Sequence, residues 1–151
     1  MKPAMACFSG LPVAVALFTL GCAASSDETR FNSDTVSYFK TLSDQGMGAA
    51  QTMAGASNLD SVKGALLAAK SVEGVGYEKY FRSRAEEGIS DSVHDIADNA
   101  DEAHRLFQEA MSEFLMYWDD KNTAHITDGS GTLNRCIALA NATVLKINAR
   151  R

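Results

Sequence analysis

Proline is almost absent from this chain. Pro3 and Pro12 are its only two prolines, and both lie in the first 21 of 151 residues. Because proline interrupts helices and central strands, a long proline-free stretch rich in Ala, Leu, Met, Glu and Lys favours long helices. No stretch alternates apolar and polar residues for long enough to predict a strand.

Cysteine is scarce as well. Cys7, Cys22 and Cys136 are the only three, whereas a small domain held by disulfides needs several that pair. Cys136 falls on the apolar face of a predicted helix, so we expect it to be a small buried hydrophobic residue. An intermolecular disulfide through Cys136 is the alternative.

Basic charge is in the minority. Beyond residue 21 the chain carries all 19 acidic residues but 13 of the 14 Lys and Arg, a net charge of −6. Nucleic-acid binding requires a basic surface that neutralises phosphates, and polybasic attraction to anionic lipid has the same requirement. We therefore expect no nucleic-acid partner.

Motifs of common catalytic and cofactor sites are missing too. The chain has no Gly-x-Ser-x-Gly and no Cys-x-x-Cys-His. Asp128-Gly129-Ser130-Gly131 lacks both the ligand spacing of an EF-hand and the lysine of a phosphate-binding loop, and is interpreted as a flexible turn. The sequence thus predicts no enzyme activity, no cofactor and no metal.

What is present is helical periodicity, clearest over residues 89–120. Apolar residues recur there at alternating steps of four and three, the seam of a helix in a bundle or coiled coil. The seam residues are Ile89, Val93, Ile96, Ala100, Ala103, Phe107, Ala110, Phe114 and Tyr117. Whether this long helix associates with a second copy is left open.

Three further main helices are predicted. One covers residues 33–56, with small residues such as Gly46 expected to pack against Phe107 and Phe114. Another covers residues 59–72 and ends at Gly74-Val75-Gly76, and a short helix follows over residues 77–87. Residues 122–131 are expected to form a loop before a last helix over residues 132–148. The predicted fold is all-α, an antiparallel bundle of about four main helices with one long heptad-patterned helix.

The N-terminus has the pattern of an export signal. Lys2 is followed by an uncharged apolar run from Ala4 to Leu20, and then by Gly21 and Cys22. A positive start, an apolar stretch and small residues at the cut are typical of a signal peptide. Leu20-Gly21-Cys22 resembles the lipobox of bacterial lipoproteins, although Thr19 stands where that family favours an aliphatic residue.

This resemblance implies that Cys22 is acylated, for instance by palmitate, and becomes the first residue of the mature chain. Residue 23 is Ala rather than Asp, which in a Gram-negative cell would imply export to the outer membrane. The predicted organisation is a signal peptide over 1–21, the lipidated cysteine with a short polar tether over 22–32, and one helical domain over 33–151. Ordinary cleavage to a secreted protein, or an uncleaved anchor, are the alternatives.

An acidic stripe is the most distinctive polar feature of the long helix. Asp91, Asp95, Asp98 and Glu102 fall on one side of it, opposite the apolar seam. Like charges four residues apart repel, so a basic partner or a divalent cation would relieve their repulsion. The stripe is therefore the candidate interaction site, and a solvated surface is the alternative.

Two other features suggest ligand sites less directly. Asp91-x-x-His94 and Asp101-x-x-His104 resemble half of a di-metal site, but no matching Glu-x-x-His occurs on another helix. Trp118 and Tyr77, with nearby aromatics, are either core residues or a ligand-binding cluster. His125 is expected to lie in a loop in contact with solvent.

The function predicted from the sequence is that of a lipid-anchored protein of the cell envelope. We expect it to act as a non-catalytic interaction or assembly component, with an envelope protein as its partner and the membrane contacted through Cys22. The alternative function is an envelope module that binds a small ligand inside the helical bundle.

Overall fold

A computed structural model describes residues 26–55, 59–87 and 91–150, and this part of the chain is all α. Its helices are α1 (Ser26–Ala54), α2 (Leu59–Glu87), α3 (His94–Asp120) and α4 (Ala124–Ala149), with a 3-10 turn over Asp91–Val93 before α3. The all-α bundle of four helices is confirmed. The predicted signal peptide and Cys22 lie outside the described residues.

Neighbouring helices run antiparallel, as pairs of side chains at their ends demonstrate. Ser83 near the end of α2 donates a hydrogen bond to Asp34 near the start of α1, with Oγ and Oδ2 2.8 Å apart. Arg150 after α4 pairs with Asp95 at the start of α3 at 3.0 Å. Arg84 near the end of α2 pairs with Asp101 in the first half of α3 at 2.7 Å, so the starts of α1 and α3 and the ends of α2 and α4 share one end of the bundle.

The core is centred on α3. Its predicted seam is confirmed from Val93 to Phe114, where seven successive seam positions are buried, and Phe107 and Ala110 are fully inaccessible. Large side chains of the other helices surround it, including Phe39, Leu42, Leu66 and Ile147. A helix with one continuous apolar stripe is stabilised by neighbours on that side, which is why its pattern predicts its position.

The start of α1 corrects the predicted tether. The helix begins at Ser26, so residues 26–32 are helical rather than a flexible connection. Phe31 and Asn32 are only 4% and 5% exposed, and Phe31 packs near Tyr80 with ring centroids 6.0 Å apart. Asp27 and Glu28 in the first turn favour this start through the helix dipole.

A second correction concerns α2, which continues through Gly74-Val75-Gly76. An interior glycine costs about 1 kcal/mol relative to alanine in helix propensity. Packing outweighs that cost here, because Gly76 lies against α1, where an added Cβ would be 3.5 Å from Thr41 Cγ2. The predicted break therefore does not occur, and the two predicted helices form one of 29 residues.

A third correction concerns the predicted loop over residues 122–131, most of which is the start of α4. Lys121 closes α3 in the left-handed conformation, with φ of 61° and its N–H bonded to the Tyr117 carbonyl. The Asn122 side chain then accepts a hydrogen bond from the Ala124 N–H at 3.0 Å. Asp128-Gly129-Ser130-Gly131 is helical rather than a flexible turn.

Glycines allow α4 to approach its neighbours closely. A Cβ on Gly129 would lie 2.8 Å from two ring carbons of Phe114, closer than real contacts permit. A Cβ on Gly46 of α1 would lie 3.0 Å from Leu133 and 3.7 Å from Phe107. The predicted packing of small α1 residues against the Phe107 layer is thus confirmed at Gly46.

Within the three described segments, no helix combines the length and apolarity that a bilayer span requires.

Candidate functional site

The predicted acidic stripe divides into residues that α4 engages and residues that face solvent. Asp95 pairs with Lys146 of α4 and with Arg150, which follows that helix. The hydrogen bond from Lys146 is the largest cause of the lowered Asp95 pKa. Glu102 pairs with Arg105 at 2.7 Å, which likewise lowers the Glu102 pKa. Asp91 and Asp98 remain exposed.

The seam between α3 and α4 is thus lined by opposite charges. At its other end, His125 in the first turn of α4 contacts two carboxylates. Its Nδ1 is 2.6 Å from Glu113 and its Nε2 is 3.0 Å from Asp120. These hydrogen bonds raise the His125 pKa, with the Glu113 contact the larger cause. His125 is therefore a partly buried member of this seam rather than a solvated loop residue.

The most unusual site in the molecule is a buried carboxylate on α2. The Glu73 side chain is fully inaccessible to solvent, and its oxygens contact side chains of two other helices. Tyr38 of α1 donates its hydroxyl to Oε1 at 2.6 Å, and Gln108 of α3 donates its amide to Oε2 at 2.6 Å. His104 Nδ1 lies 2.9 Å from Oε1. We call Tyr38, Glu73, His104 and Gln108 the Glu73 network.

In the part of the chain that the structure describes, no Lys or Arg pairs with Glu73, so hydrogen bonds alone satisfy its oxygens. A buried charge without such partners is expensive, because it loses its hydration. A hydrogen bond between His104 Nδ1 and Oε1 requires a proton on one of these two atoms, because neither an unprotonated ring nitrogen nor a carboxylate oxygen donates. The network then fixes the register of three helices.

Aromatic rings and a second carboxylate extend this site towards the start of α3. The Tyr77 ring stacks on His104, with centroids 3.8 Å apart and planes 6° from parallel. Tyr77 and Arg84 both donate to Asp101 Oδ1, at 2.9 and 2.7 Å. Burial is the main cause that raises the Tyr77 pKa to about 12, and the hydrogen bond to Asp101 adds to it. Burial likewise raises the Tyr38 pKa.

The sequence did carry a signal for Glu73. It lies seven residues after Leu66, four after Ala69 and seven before Tyr80, so it shares their helix face. All three of those residues are buried. Because a helix break was predicted at Gly74-Val75-Gly76, Glu73 was not assigned to that face. The sequence therefore did not predict the Glu73 network.

The two predicted acid-x-x-His pairs serve different purposes. His94 is exposed, and its Nε2 lies 3.8 Å from Asp91. His104 turns away from that pair to join the Glu73 network. Across the described residues, no three His, Cys, Asp or Glu side chains are gathered closely enough to hold a metal ion.

The aromatic residues that were predicted to form one cluster form two separate clusters. Trp118 packs edge-on against Tyr117 at 4.8 Å, and Lys121 lies over the Trp118 ring at 4.8 Å. Tyr77 stacks on His104, which precedes Trp118 by 14 residues, or about 21 Å along the helix. The prediction of a single ligand site that contains both Trp118 and Tyr77 is therefore wrong. The buried Trp118 Nε1 has no hydrogen-bond acceptor in the described structure.

Cys136 is buried, as predicted, and is 0% exposed. Its Sγ donates to the carbonyl of Ala103 on α3 at 3.1 Å. Burial is the main cause that raises the thiol pKa to about 12. Because the thiolate is the reactive form, this thiol is held inert.

A groove of about 680 Å³ lies on the surface between α1 and the second half of α2. Tyr38 and Tyr80 lie beneath it, with their rings stacked 5.3 Å apart. Charged residues of both signs form its walls, among them Asp34, Lys79 and Arg82. The arrangement provides an apolar floor with a polar rim.

Comparison with known proteins gives no match to this chain, whether to protein families, to curated proteins or to solved structures.

Proposed function

We propose that this protein is a lipid-anchored component of the cell envelope that works by contacting another protein. The anchor is an acylated Cys22, and the helical bundle is the body that the anchor holds at a membrane. In this proposal the protein is not an enzyme. Its partner is a second envelope protein with a basic surface.

The sequence pattern that ends at Leu20-Gly21-Cys22 carries the proposal, and the start of α1 places the bundle only a few residues from that cysteine. α1 begins at Ser26, so three residues separate it from Cys22, and a fully extended chain covers about 3.5 Å per residue. Multiple acyl chains hold a protein firmly to a bilayer. The bundle end that contains the starts of α1 and α3 would then lie next to the lipid headgroups.

Charge segregation supports the protein contact. α3 carries eight carboxylates and a single basic residue other than histidine, Arg105. Asp95, Glu113 and Asp120 are paired along the α4 seam. Asp98 is exposed, and the exposed Glu102 and Glu109 farther along the same helix share Arg105. A concentration of one charge on one helix attracts a partner of the opposite charge and speeds their encounter.

The state of the candidate nucleophiles supports a non-catalytic role. Burial holds the Cys136 thiol in its neutral form, and the Tyr38 hydroxyl is committed to Glu73. Nucleophilic catalysis needs an activated group with a lowered pKa or an adjacent base. The pKa values of Cys136 and Tyr38 are instead raised.

The anchor is tested by labelling cells with a clickable palmitate analogue and separating membrane from soluble fractions. The full chain should take up label and stay with the membrane. Cys22→Ser should remove the label, and the matched variant Cys136→Ser should keep it. Equal labelling of the chain with and without Cys22→Ser would contradict the proposal.

The contact surface is tested with a photo-crosslinking amino acid placed at the exposed Glu102, one turn after Asp98. A crosslinked partner should be identified by mass spectrometry as an envelope protein, and Asp98→Lys should abolish its capture. The matched change Asn141→Lys on the exposed side of α4 should leave capture intact. Loss of capture in both variants, or in neither, would contradict a specific acidic contact.

The groove between α1 and α2 supports a second candidate, a module that binds a small molecule with apolar and charged parts. Gly76 keeps this groove open, because a side chain there would extend towards Thr41. Native mass spectrometry of the purified chain should show added mass that Gly76→Leu removes. An identical spectrum for both chains would exclude this second function.

A further inference from the structure

The groove between α1 and α2 contains two charges of opposite sign that have no ionic partner among the described residues. Asp34 of α1 accepts a hydrogen bond from the Ser83 hydroxyl but forms no ion pair. Lys79 of α2 is exposed and forms neither a hydrogen bond nor an ion pair there. The other charged residues of the groove, all of which have interactions of their own, are Arg30, Glu78 and Arg82.

The two unpaired charges are offset along the groove. Asp34 contacts Ser83, and Lys79 lies one turn before Ser83, so the offset is about 6 Å along the helix axis. Side chains lean towards the N-terminus of their own helix, so on antiparallel helices Asp34 and Lys79 lean away from each other. The Lys79 side chain can add about 6 Å, which gives a separation of roughly 6–12 Å between ammonium and carboxylate.

The floor between these charges is apolar. The rings of Tyr38 and Tyr80 are stacked there, with centroids 5.3 Å apart. The Tyr38 hydroxyl is committed to Glu73, and the Tyr80 hydroxyl accepts a hydrogen bond from Thr35. Val75 borders this floor and is 65% exposed. Apolar groups of a ligand would remove these surfaces from water, which favours binding.

Hydroxyl groups on the α1 wall of the groove can accept hydrogen bonds from a ligand. Ser37 donates its hydroxyl to the Ser33 carbonyl at 2.9 Å, and Thr41 donates to the Ser37 carbonyl at 3.3 Å. Each hydroxyl oxygen keeps lone pairs that can accept from another group. Ser37 and Thr41 both line the groove, so it suits a ligand that has N–H groups.

We propose that this groove binds a short peptide of two or three residues with free termini and apolar side chains. The terminal ammonium group pairs with Asp34 and the terminal carboxylate with Lys79. An extended chain covers about 3.5 Å per residue, so two or three residues span the separation of these charges. A ligand with charge of one sign would be repelled by one of them, whereas a zwitterion satisfies both.

This proposal rests on the second candidate function, the binding of a small molecule, and gives the chemical class of its ligand. It does not depend on the lipid anchor at Cys22 or on the protein contact at Asp98. Those proposals and this one therefore succeed or fail separately.

The test is isothermal titration calorimetry of the full chain in a nonionic detergent, with the tripeptide alanyl-leucyl-alanine as the probe. We expect N-acetylation or C-terminal amidation of the peptide to weaken binding about tenfold each, because each removes one charge-assisted contact. Free leucine, which is too short to reach both charges, should also bind about tenfold more weakly. Equal affinities for the free and the blocked peptides would overturn the proposal.

Variants of the two charged residues assign each terminus of the peptide. Asp34→Asn should weaken binding of the free tripeptide about tenfold and leave the affinity for its N-acetyl form unchanged. Lys79→Gln should act in the same way on the free and the amidated forms. Asp44→Asn and Lys40→Gln are the matched controls, because both residues are exposed on α1 outside the groove. If Asp34→Asn weakens the free and acetylated forms equally, the assigned orientation is overturned.

Gly76→Leu separates this proposal from the second function on which it rests. The variant should abolish binding of the tripeptide, because its side chain fills the groove. A chain whose bound mass is removed by Gly76→Leu, but which binds no zwitterionic peptide, would overturn the peptide proposal and leave the second function in place. Peptide binding that Gly76→Leu leaves intact would place the site elsewhere, and would also overturn the proposal.

Discussion

α2 and α3 are nearly equal in length but distribute their residues in opposite ways. α3 buries a continuous apolar seam and exposes carboxylates. α2 buries the carboxylate of Glu73 and exposes Leu67, Val72 and Val75. The apolar residues of α3 are therefore arranged mainly around the core, whereas α2 combines polar contacts in the interior with apolar side chains on its exposed side.

The largest expected effect is the difference in stability between removing a buried apolar side chain of α3 and removing an exposed one of α2. Phe107→Ala on α3 should lower the free energy of unfolding by about 3–5 kcal/mol, because the ring is fully buried. Val75→Ala on α2 should change it by less than about 0.5 kcal/mol in dilute solution. Urea denaturation followed by circular dichroism measures both, and comparable losses would contradict the contrast.

The Glu73 network should contribute the next largest effect. Tyr38→Phe removes one hydrogen-bond donor from a buried carboxylate, which costs about 1–3 kcal/mol in the free energy of unfolding. Tyr117→Phe is the matched control, because no hydrogen bond to the Tyr117 hydroxyl occurs among the described residues, and we expect little change. Equal stabilities for the two variants would show that the network does not bind α1 to α2.

Glycine-to-alanine changes should have opposite signs on α4 and α2. At Gly129 the added methyl group meets the Phe114 ring, and overpacking should lower stability by about 1–2 kcal/mol after the gain in helix propensity. At Gly64 nothing lies within 4 Å, so alanine should raise stability by about 0.5–1 kcal/mol. Thermal denaturation of both variants gives the two signs directly.

The smallest expected effect is the pH dependence of the α3–α4 seam. Glu113 and Asp120 raise the His125 pKa in the folded state. This contribution to stability is therefore complete below the ordinary histidine pKa of about 6.5, and is lost as pH rises through the raised value. NMR titration of the His125 ring should show the raised pKa, and His125→Gln should remove this part of the stability profile.

At the opposite end of the seam, the contribution of Asp95 to stability depends on pH with the opposite sign. Its pKa is lowered by Lys146 and Arg150, so its contribution is present above the ordinary aspartate pKa and is lost as pH falls through the lowered value. The exposed ion pairs of Asp95 contribute at most about 1 kcal/mol to the free energy of unfolding.

For the other end of the seam, a measured His125 pKa at or below its ordinary value would contradict the contacts with Glu113 and Asp120.

The sequence predicted α3 well because one physical requirement shaped it. The apolar residues of its seam from Val93 to Phe114 all face the core, so their spacing locates the helix and most of its buried residues. It also predicted the buried environment of Cys136 and the packing of Gly46 near Phe107. Each of these depends on a single helix face with uniform surroundings.

The sequence-based predictions are wrong where a segment's local pattern and its packing against other helices favour different structures. α2 has apolar residues on both sides, so periodicity does not define one face, and its glycines predicted a break that packing with α1 prevents. The segment 128–131 looks like a turn, but Gly129 is needed for contact with Phe114. The acidic stripe was defined on one helix alone, and the sequence could not show that Lys146 and Arg150 of α4 lie beside Asp95.

We propose that acyl chains on Cys22 hold the bundle at a membrane and that its outer surface contacts a partner protein. The intact mass of the mature chain, purified from the envelope, tests this proposal. We predict a chain that begins at Cys22 and carries acyl mass, which Cys22→Ser abolishes. A chain that begins at Ala24 or Ser25 and has no added lipid would contradict the claim.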